Sequence, residues 1–341
     1  MMSQSFFLGG QIRSIPSDFI VEEVWPHQIY SIQYSPYNRF QDFITRKWRR
    51  EKEYLHFTLV KTDWDTMRAL RRMGKALRVS IKRFGIAGMK DKKAVTAQRV
   101  SMWHGQADQM ARLRLKDLNI KDFQYAPDRI TLGMAKGNRF TITIRDIEKT
   151  QQECRQILQR FQAQVTQQGI PNYFGPQRLR GGNAEIGHAL KEGKLRDAVE
   201  LILRKVQPYL QAGDVQEIPK VFWYEKRMIL HLRQFPNDYA GALRRIPKRV
   251  RRIFTHAYQS HVFNEQVQHM ITREEIPDTL TISGFTIPSM PELSTRPVTR
   301  RSLLTAQNFT ILRINETETV IQFMLQKGEY ASTLLSHLIE Q

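Results

Sequence analysis

The chain has 341 residues, enough for two domains that each bury a core, and its 53 lysines and arginines outnumber 33 acidic residues to give a net charge of +20. The cations run along the whole length, which points to a polyanion, nucleic acid first, because phosphate neutralisation supplies affinity whatever the sequence. A membrane protein is not expected, since no apolar run approaches the ~18 residues of a spanning helix. Cys154, the single cysteine, leaves no intrachain disulfide and no thiolate metal cluster.

The opening segment MMSQSFFLGGQIRS has no basic stretch before its short apolar run, so no secretory signal is expected and the chain is read as cytoplasmic. Tyr54 to Lys61 alternates Leu55, Phe57 and Leu59 against polar neighbours, a strand at period two. Thr62 then begins T-D-W-D, a capping box, and Trp64, Met67, Leu70, Met73 and Leu77 predict a helix from about Asp63 to Leu77. Phe84 to Ala87 and Thr96 to Met102 read as two further strands, and the loop between them opens GMKDKKAVTAQ. Loops held this way commonly carry catalytic groups, because the sheet fixes the backbone while the side chain stays exposed.

Phe140 to Arg145, FTITIR, is a β-branched strand entered through the turn Lys136-Gly137-Asn138. Glu153 to Phe161 reads helically and takes Cys154 into its packing. From about Gln151 the texture is helical; Arg178 to Asn183 forms a Gly-rich basic joint near which a domain boundary is expected, and Leu190 to Leu203 and Arg251 to Met270 carry apolar residues at helical spacing. Strand patterns return at Phe309 to Arg313 and Val320 to Leu325, before a last helix from about Tyr330 to Ile339. A chain that runs sheet, helices, sheet is what an inserted domain produces. The expected fold is α+β: residues 1–155 and 308–341 form a mixed, mainly antiparallel sheet with flanking helices, and residues 156–307 a mostly helical insertion.

No zinc-protease, paired Cys, nucleophile-elbow or P-loop motif occurs, and the histidines are scattered singly, so neither cofactor nor metal is expected. The loop carboxylate Asp91 has two readings. It is either a turn residue balancing Lys90, Lys92 and Lys93 on a solvated surface, or a nucleophile kept ionised by those cations. A nucleic-acid-binding loop made only for affinity would gain by losing it.

The second reading gains from a resemblance. AGMKDKKAVTAQ at Ala87 to Gln98 resembles the active-site motif of the TruD family of tRNA pseudouridine synthases. Arg13 with Pro16, Asp18, Phe19, Val21 and Glu22 is similar to the family's N-terminal block, and Leu132-Gly133 with Lys136 to Phe140 to its L-G…K-G-N-x-F block. Gly169 to Arg178, Ser260 to Asn264, and Gln322 to Ser332 resemble three further blocks in the family's order; Gln326 replaces the usual Pro, Ser332 the usual Thr, and Arg13 the Lys of some relatives.

The resemblance implies isomerisation of a uridine in tRNA, usually uridine 13, to pseudouridine, without redox or group transfer. Asp91 is then the nucleophile, toward either the ribose C1′ or the base. Phe140 is expected to stack on an extruded base and Asn138 to read its edge, with Arg13, Phe19, Lys90 and Gln98 lining the pocket. For Phe140 the strand pattern alone places the ring in the core. No spacing singles out a base for the C5 proton. Arg178, Arg180, Arg244, Arg245, Lys248, Arg249, Arg251 and Arg252 read as phosphate contacts, or else as solvated helix faces. tRNA is the one expected partner, with no protein partner implied and hence a monomer. The rival readings are a non-catalytic tRNA-binding or RNA-folding protein on the same scaffold, and a uridine methyltransferase, for which no cofactor site is found.

Overall fold

The computed structural model describes residues 6–47, 52–211 and 215–339. They fall into two compact units, one of residues 1–170 with 304–341 and one of 171–303. The first unit therefore extends past the expected border at 155/156. That border would cut the helix Gln151–Ala163, whose Ile157, Leu158 and Phe161 pack into the first unit's main core.

Among the described residues, the first unit is built on a sheet of nine strands: β1 (Phe19–Trp25), β2 (Gln28–Tyr30), β3 (Tyr54–Thr62), β4 (Phe84–Ile86), β5 (Val95–Trp103), β6 (Leu118–Ala126), β7 (Gly137–Arg145), β8 (Gln307–Ile314) and β9 (Glu318–Gln326). The order is β8-β9-β7-β1-β5-β3-β6, with β2 on β1 and β4 on β5. All these pairings are antiparallel except β1 with β5, so the α+β class with a mixed, mainly antiparallel sheet holds. Helices α1 (Pro36–Lys47), α2 (Thr66–Leu77), α3 (Gln151–Ala163) and α4 (Ala331–Ile339) flank it.

Helix α3 opens on a reciprocal capping box between Thr150 and Glu153, as a Thr-x-x-Glu start should. Helix α2 starts later than its sequence suggests. Strand β3 runs through Thr62, the chain turns at Asp63 in the left-handed region (φ 55°), and Asp65, not Thr62, caps the helix by accepting the Arg68 amide.

The register aligns one row of side chains across five strands. Lys61 of β3 pairs with Thr96 of β5, Thr96 with Val21 of β1, Val21 with Phe140 of β7, and Phe140 with Phe323 of β9. Side chains alternate with period two. The next row on the same face therefore holds Leu59 opposite Gln98, Glu23 opposite Asn138, and Asn138 opposite Leu325. One sheet face thus turns from apolar to polar where the loop after β4 arrives.

The second unit packs the helices Asn183–Lys191, Leu195–Leu203, Trp223–Gln234, Tyr239–Arg244 and Lys248–Thr272 around Leu190, Val199, Met228, Leu243 and Phe254. The single helix read over Leu190 to Leu203 is two helices, because Gly193 sits at φ 71° between them. A two-stranded antiparallel pair, Thr279–Ile282 with Val298–Arg301, completes it.

Candidate active site

The loop between β4 and β5 is held at several points by polar side chains beneath it. Lys61, fully buried at the inward end of β3, donates from Nζ to the Asp91 carbonyl at 2.6 Å. The Thr66 hydroxyl, at the first turn of α2, accepts the Lys90 amide at 3.2 Å and bonds Gln98 Oε1, while Gln98 Nε2 donates to the Gly88 carbonyl at 3.2 Å. Lys90 reaches down to Glu23 with Nζ 2.6 Å from Oε1, and both side chains are buried. The other Glu23 oxygen accepts the Arg99 amide and the Trp25 indole.

These contacts correct two expectations. Lys90 and Gln98 do not present their side chains to a pocket; they tie the loop to the sheet, because a buried ammonium needs a carboxylate and a buried amide needs backbone partners. The net result is a loop whose backbone is fixed and whose carboxylate is free to face outward. The Asp91 side chain keeps 47% of its surface.

Arg13 faces that carboxylate. Its backbone takes the left-handed conformation (φ 63°), and Nη2 lies 3.4 Å from Asp91 Oδ1 while the guanidinium carbon stands 3.9 Å above the Phe19 ring. The cation thus rests on an aromatic face and meets the acid at its edge, a geometry that a planar guanidinium permits. Its Nε is buried without a hydrogen-bond partner.

Phe19 and Phe140 are core residues in this state, which corrects their reading as lining groups. Phe19 is covered by Arg13 and packs edge-on against Phe140 with centroids 6.0 Å apart; Phe140 in turn stacks on Phe323 at 5.5 Å. Asn138 is half-buried and differs from both. Its Oδ1 is shielded from solvent and has no partner within the chain, leaving an acceptor open opposite Glu23 in the register.

Three residues that the sequence pattern did not single out complete the site: Lys61, Thr66 and Glu23. Burial pulls the Lys61 ammonium down to about 8, against the opposing pull of Asp91 and Asp65. A signal was present, since Lys61 continues the inward positions Leu55, Phe57 and Leu59, where a lysine is out of place.

In the second unit the expected phosphate contacts divide. Arg251 is buried, donating to the Ile246 carbonyl and, at 2.8 Å, to Glu292, so it is a packing element and not a phosphate grip. Arg244 shares Glu292 at 3.2 Å, and Arg245 bonds the His231 ring. Burial alone would raise the Glu292 carboxyl, but bonds from Arg251 and Arg244 outweigh it and bring it to about 2. Arg178 lies 4.7 Å over the Phe174 ring, while Arg180, Lys248, Arg249 and Arg252 are exposed. Among the described residues no cluster of His, Cys, Asp and Glu fits a metal, and no helix is long and apolar enough to cross a membrane.

The family model of tRNA pseudouridine synthase D (TruD) matches residues 2–280. A protein of Methanosarcina acetivorans named as a tRNA pseudouridine synthase D is 28% identical, over 96% of this chain and 92% of its own. One of Methanopyrus kandleri with the same name is 32% identical over 83% and 84%. A crystal structure from Methanosarcina mazei, titled as the same synthase, superposes with a TM-score of 0.75 at 25% identity, covering 98% of this chain and 94% of that one. These matches define an isomerase that acts on nucleosides within RNA. The chain belongs to the TruD family of tRNA pseudouridine synthases.

Proposed function

We propose that this chain converts a uridine of tRNA, the family's usual uridine 13, to pseudouridine, with Asp91 as the nucleophile. The observation that carries the reading is Asp91 itself: a carboxylate with an exposed side chain on a loop whose backbone is clamped by Lys61, Thr66 and Gln98. A fixed backbone keeps the attacking oxygen in place, and orientation is a large part of what an enzyme supplies. Arg13, 3.4 Å away, holds the acid before substrate arrives and is free to turn to a phosphate once it does.

In the reaction the N1–C1′ bond breaks, uracil turns, the C5–C1′ bond forms, C5 loses its proton and N1 gains one. Atoms and electrons balance without an oxidant or a second substrate. A base must leave the stack to enter, and the partnerless Asn138 Oδ1 suits the N3–H of uracil. Arg180, Lys248, Arg249 and Arg252 are the proposed phosphate contacts of the second unit, and the protein is proposed to act as a monomer in the cytoplasm.

The test uses tRNA carrying tritium at uridine C5. Isomerisation releases the label to water and leaves the RNA mass unchanged, whereas a methyltransferase adds mass. Wild-type chain that binds tRNA but releases no tritium would leave the binding-protein reading in its place.

A further inference from the structure

Helix α1 is polar on the side that meets the protein and aromatic on the side that meets solvent. Its inner side is anchored to β6, the edge strand of the sheet. Asp42 accepts the backbone amides of Asp122 and Phe123 at 2.9 and 2.5 Å and the Tyr34 hydroxyl, and Asn38 donates to Asp122 at 2.7 Å. Asp42 thereby occupies donors that an edge strand would otherwise offer to another chain. Tyr37, Phe40 and Ile44 lie on the opposite side of the helix, roughly 160–220° round from Asp42 at about 100° per residue. They keep 70%, 60% and 37% of their surface.

A helix normally turns its apolar stripe inward, so this inversion marks a surface kept for a partner. The flank of the same helix shows which one. Arg39, Phe43 and Arg46 border a concavity of about 810 Å³ whose other wall carries Arg114 and Lys116. The acids nearby are committed: Asp42 is buried in the bonds just described, and Asp108 is shared by Arg46 at 3.2 Å and Arg112 at 2.7 Å. Flat rings beside a cationic hollow suit bases and phosphates together. An anionic bilayer would be served better by aliphatic chains.

We infer that the outer face of α1 is an RNA-contact surface, with Tyr37 and Phe40 stacking on unpaired bases and Arg39, Arg114 and Lys116 holding the backbone between them. The inference rests on the reading of this chain as a tRNA-modifying enzyme and adds a contact apart from the Asp91 loop.

The experiment compares the full chain with the double variants Tyr37→Ala/Phe40→Ala and Tyr37→Leu/Phe40→Leu. The probe is fluorescently labelled unfractionated tRNA at fixed salt, and folding is verified by circular dichroism and thermal melting. Both variants are expected to raise Kd at least about tenfold, leucine as badly as alanine because it has no π-face. Exchanging the rings for each other (Tyr37→Phe/Phe40→Tyr) should restore binding. Unchanged tRNA affinity in the alanine variant would overturn the inference. So would wild-type affinity in the leucine variant, or binding to phosphatidylserine vesicles, or self-association, that alanine abolishes and leucine keeps. Tritium release by the wild-type chain tests the enzymatic reading separately, so failure of one is not mistaken for failure of the other.

Discussion

The guanidinium of Arg13 connects the one outward-facing acid of the loop to the buried aromatic cluster: it is 3.4 Å from Asp91 and 3.9 Å above Phe19. Charge and flatness are both used, and they can be separated by substitution. Arg13→Lys keeps the charge and loses the plane, so kcat/KM for tritium release should fall about tenfold; Arg13→Ala loses both and should fall about a hundredfold. Equal values for Lys and Arg at this position would show that only charge matters.

Asp91→Asn is nearly isosteric and removes the proposed nucleophile. Tritium release should drop by at least about a thousandfold while Kd for tRNA stays within about threefold. A variant that still turns over would assign the attack to another group.

Lys61→Met keeps the volume at a buried position and removes the donor to the Asp91 carbonyl. We expect kcat to fall about tenfold with little change in KM, since the peptide of the proposed nucleophile gives up one hydrogen bond. Stability follows the opposite course. With the folded-state value lowered from 10.5 to about 8, the charged form is disfavoured by folding below pH 8, and the unfolded chain holds the extra proton between about 8 and 10.5. The wild-type chain therefore gains stability relative to Lys61→Met as pH rises through that window, by on the order of 3 kcal/mol. Urea titrations of both proteins at pH 7 and pH 10 measure the difference.

The Lys90–Glu23 pair is buried on both sides, so breaking it from one end leaves a charge without a partner. Glu23→Ala should lower the unfolding free energy by about 3–5 kcal/mol, and Glu23→Gln combined with Lys90→Met by clearly less. Equal losses in the single and double variants would mean that packing, not charge, holds this point of the loop.

For the second unit, Arg251→Ala should lower the melting temperature, because it abandons Glu292 and the Ile246 carbonyl. Arg249→Ala with Arg252→Ala should leave melting unchanged and weaken tRNA binding. The slope of log affinity against log salt should flatten by roughly 0.7–0.9 for each phosphate no longer neutralised. The reverse pattern would exchange their roles.

Much of this was legible in the sequence where a pattern carries one meaning. The alternation of Leu55, Phe57 and Leu59 gave β3, FTITIR gave β7, and the Asp91 loop stood out against its lysines. Strand β1 did not, because F-I-V-E-E-V-W sets two carboxylates in its middle; Glu22 is met by Arg139, Ser31 and the Ile32 amide, and Glu23 by Lys90, Trp25 and the Arg99 amide, all but Trp25 lying outside the strand. Nor does a sequence say which way a side chain turns. Lys90 and Gln98 belong to the right loop, but whether they face substrate or sheet depends on Glu23 and Thr66, which are distant in the chain. Helix α1 escaped for the contrary reason, since its aromatic residues face out and give no inward stripe to read.

Strand β9, drawn from residues 318–326, pairs with β7 over its whole length and places Phe323 against Phe140. During synthesis the strands up to β7 emerge first, and the second unit is made before this partner exists. The ring cluster under Arg13 is therefore closed only after strand β9 has left the ribosome. Non-local pairing of this kind slows folding, so refolding from denaturant should show a late phase in which activity returns.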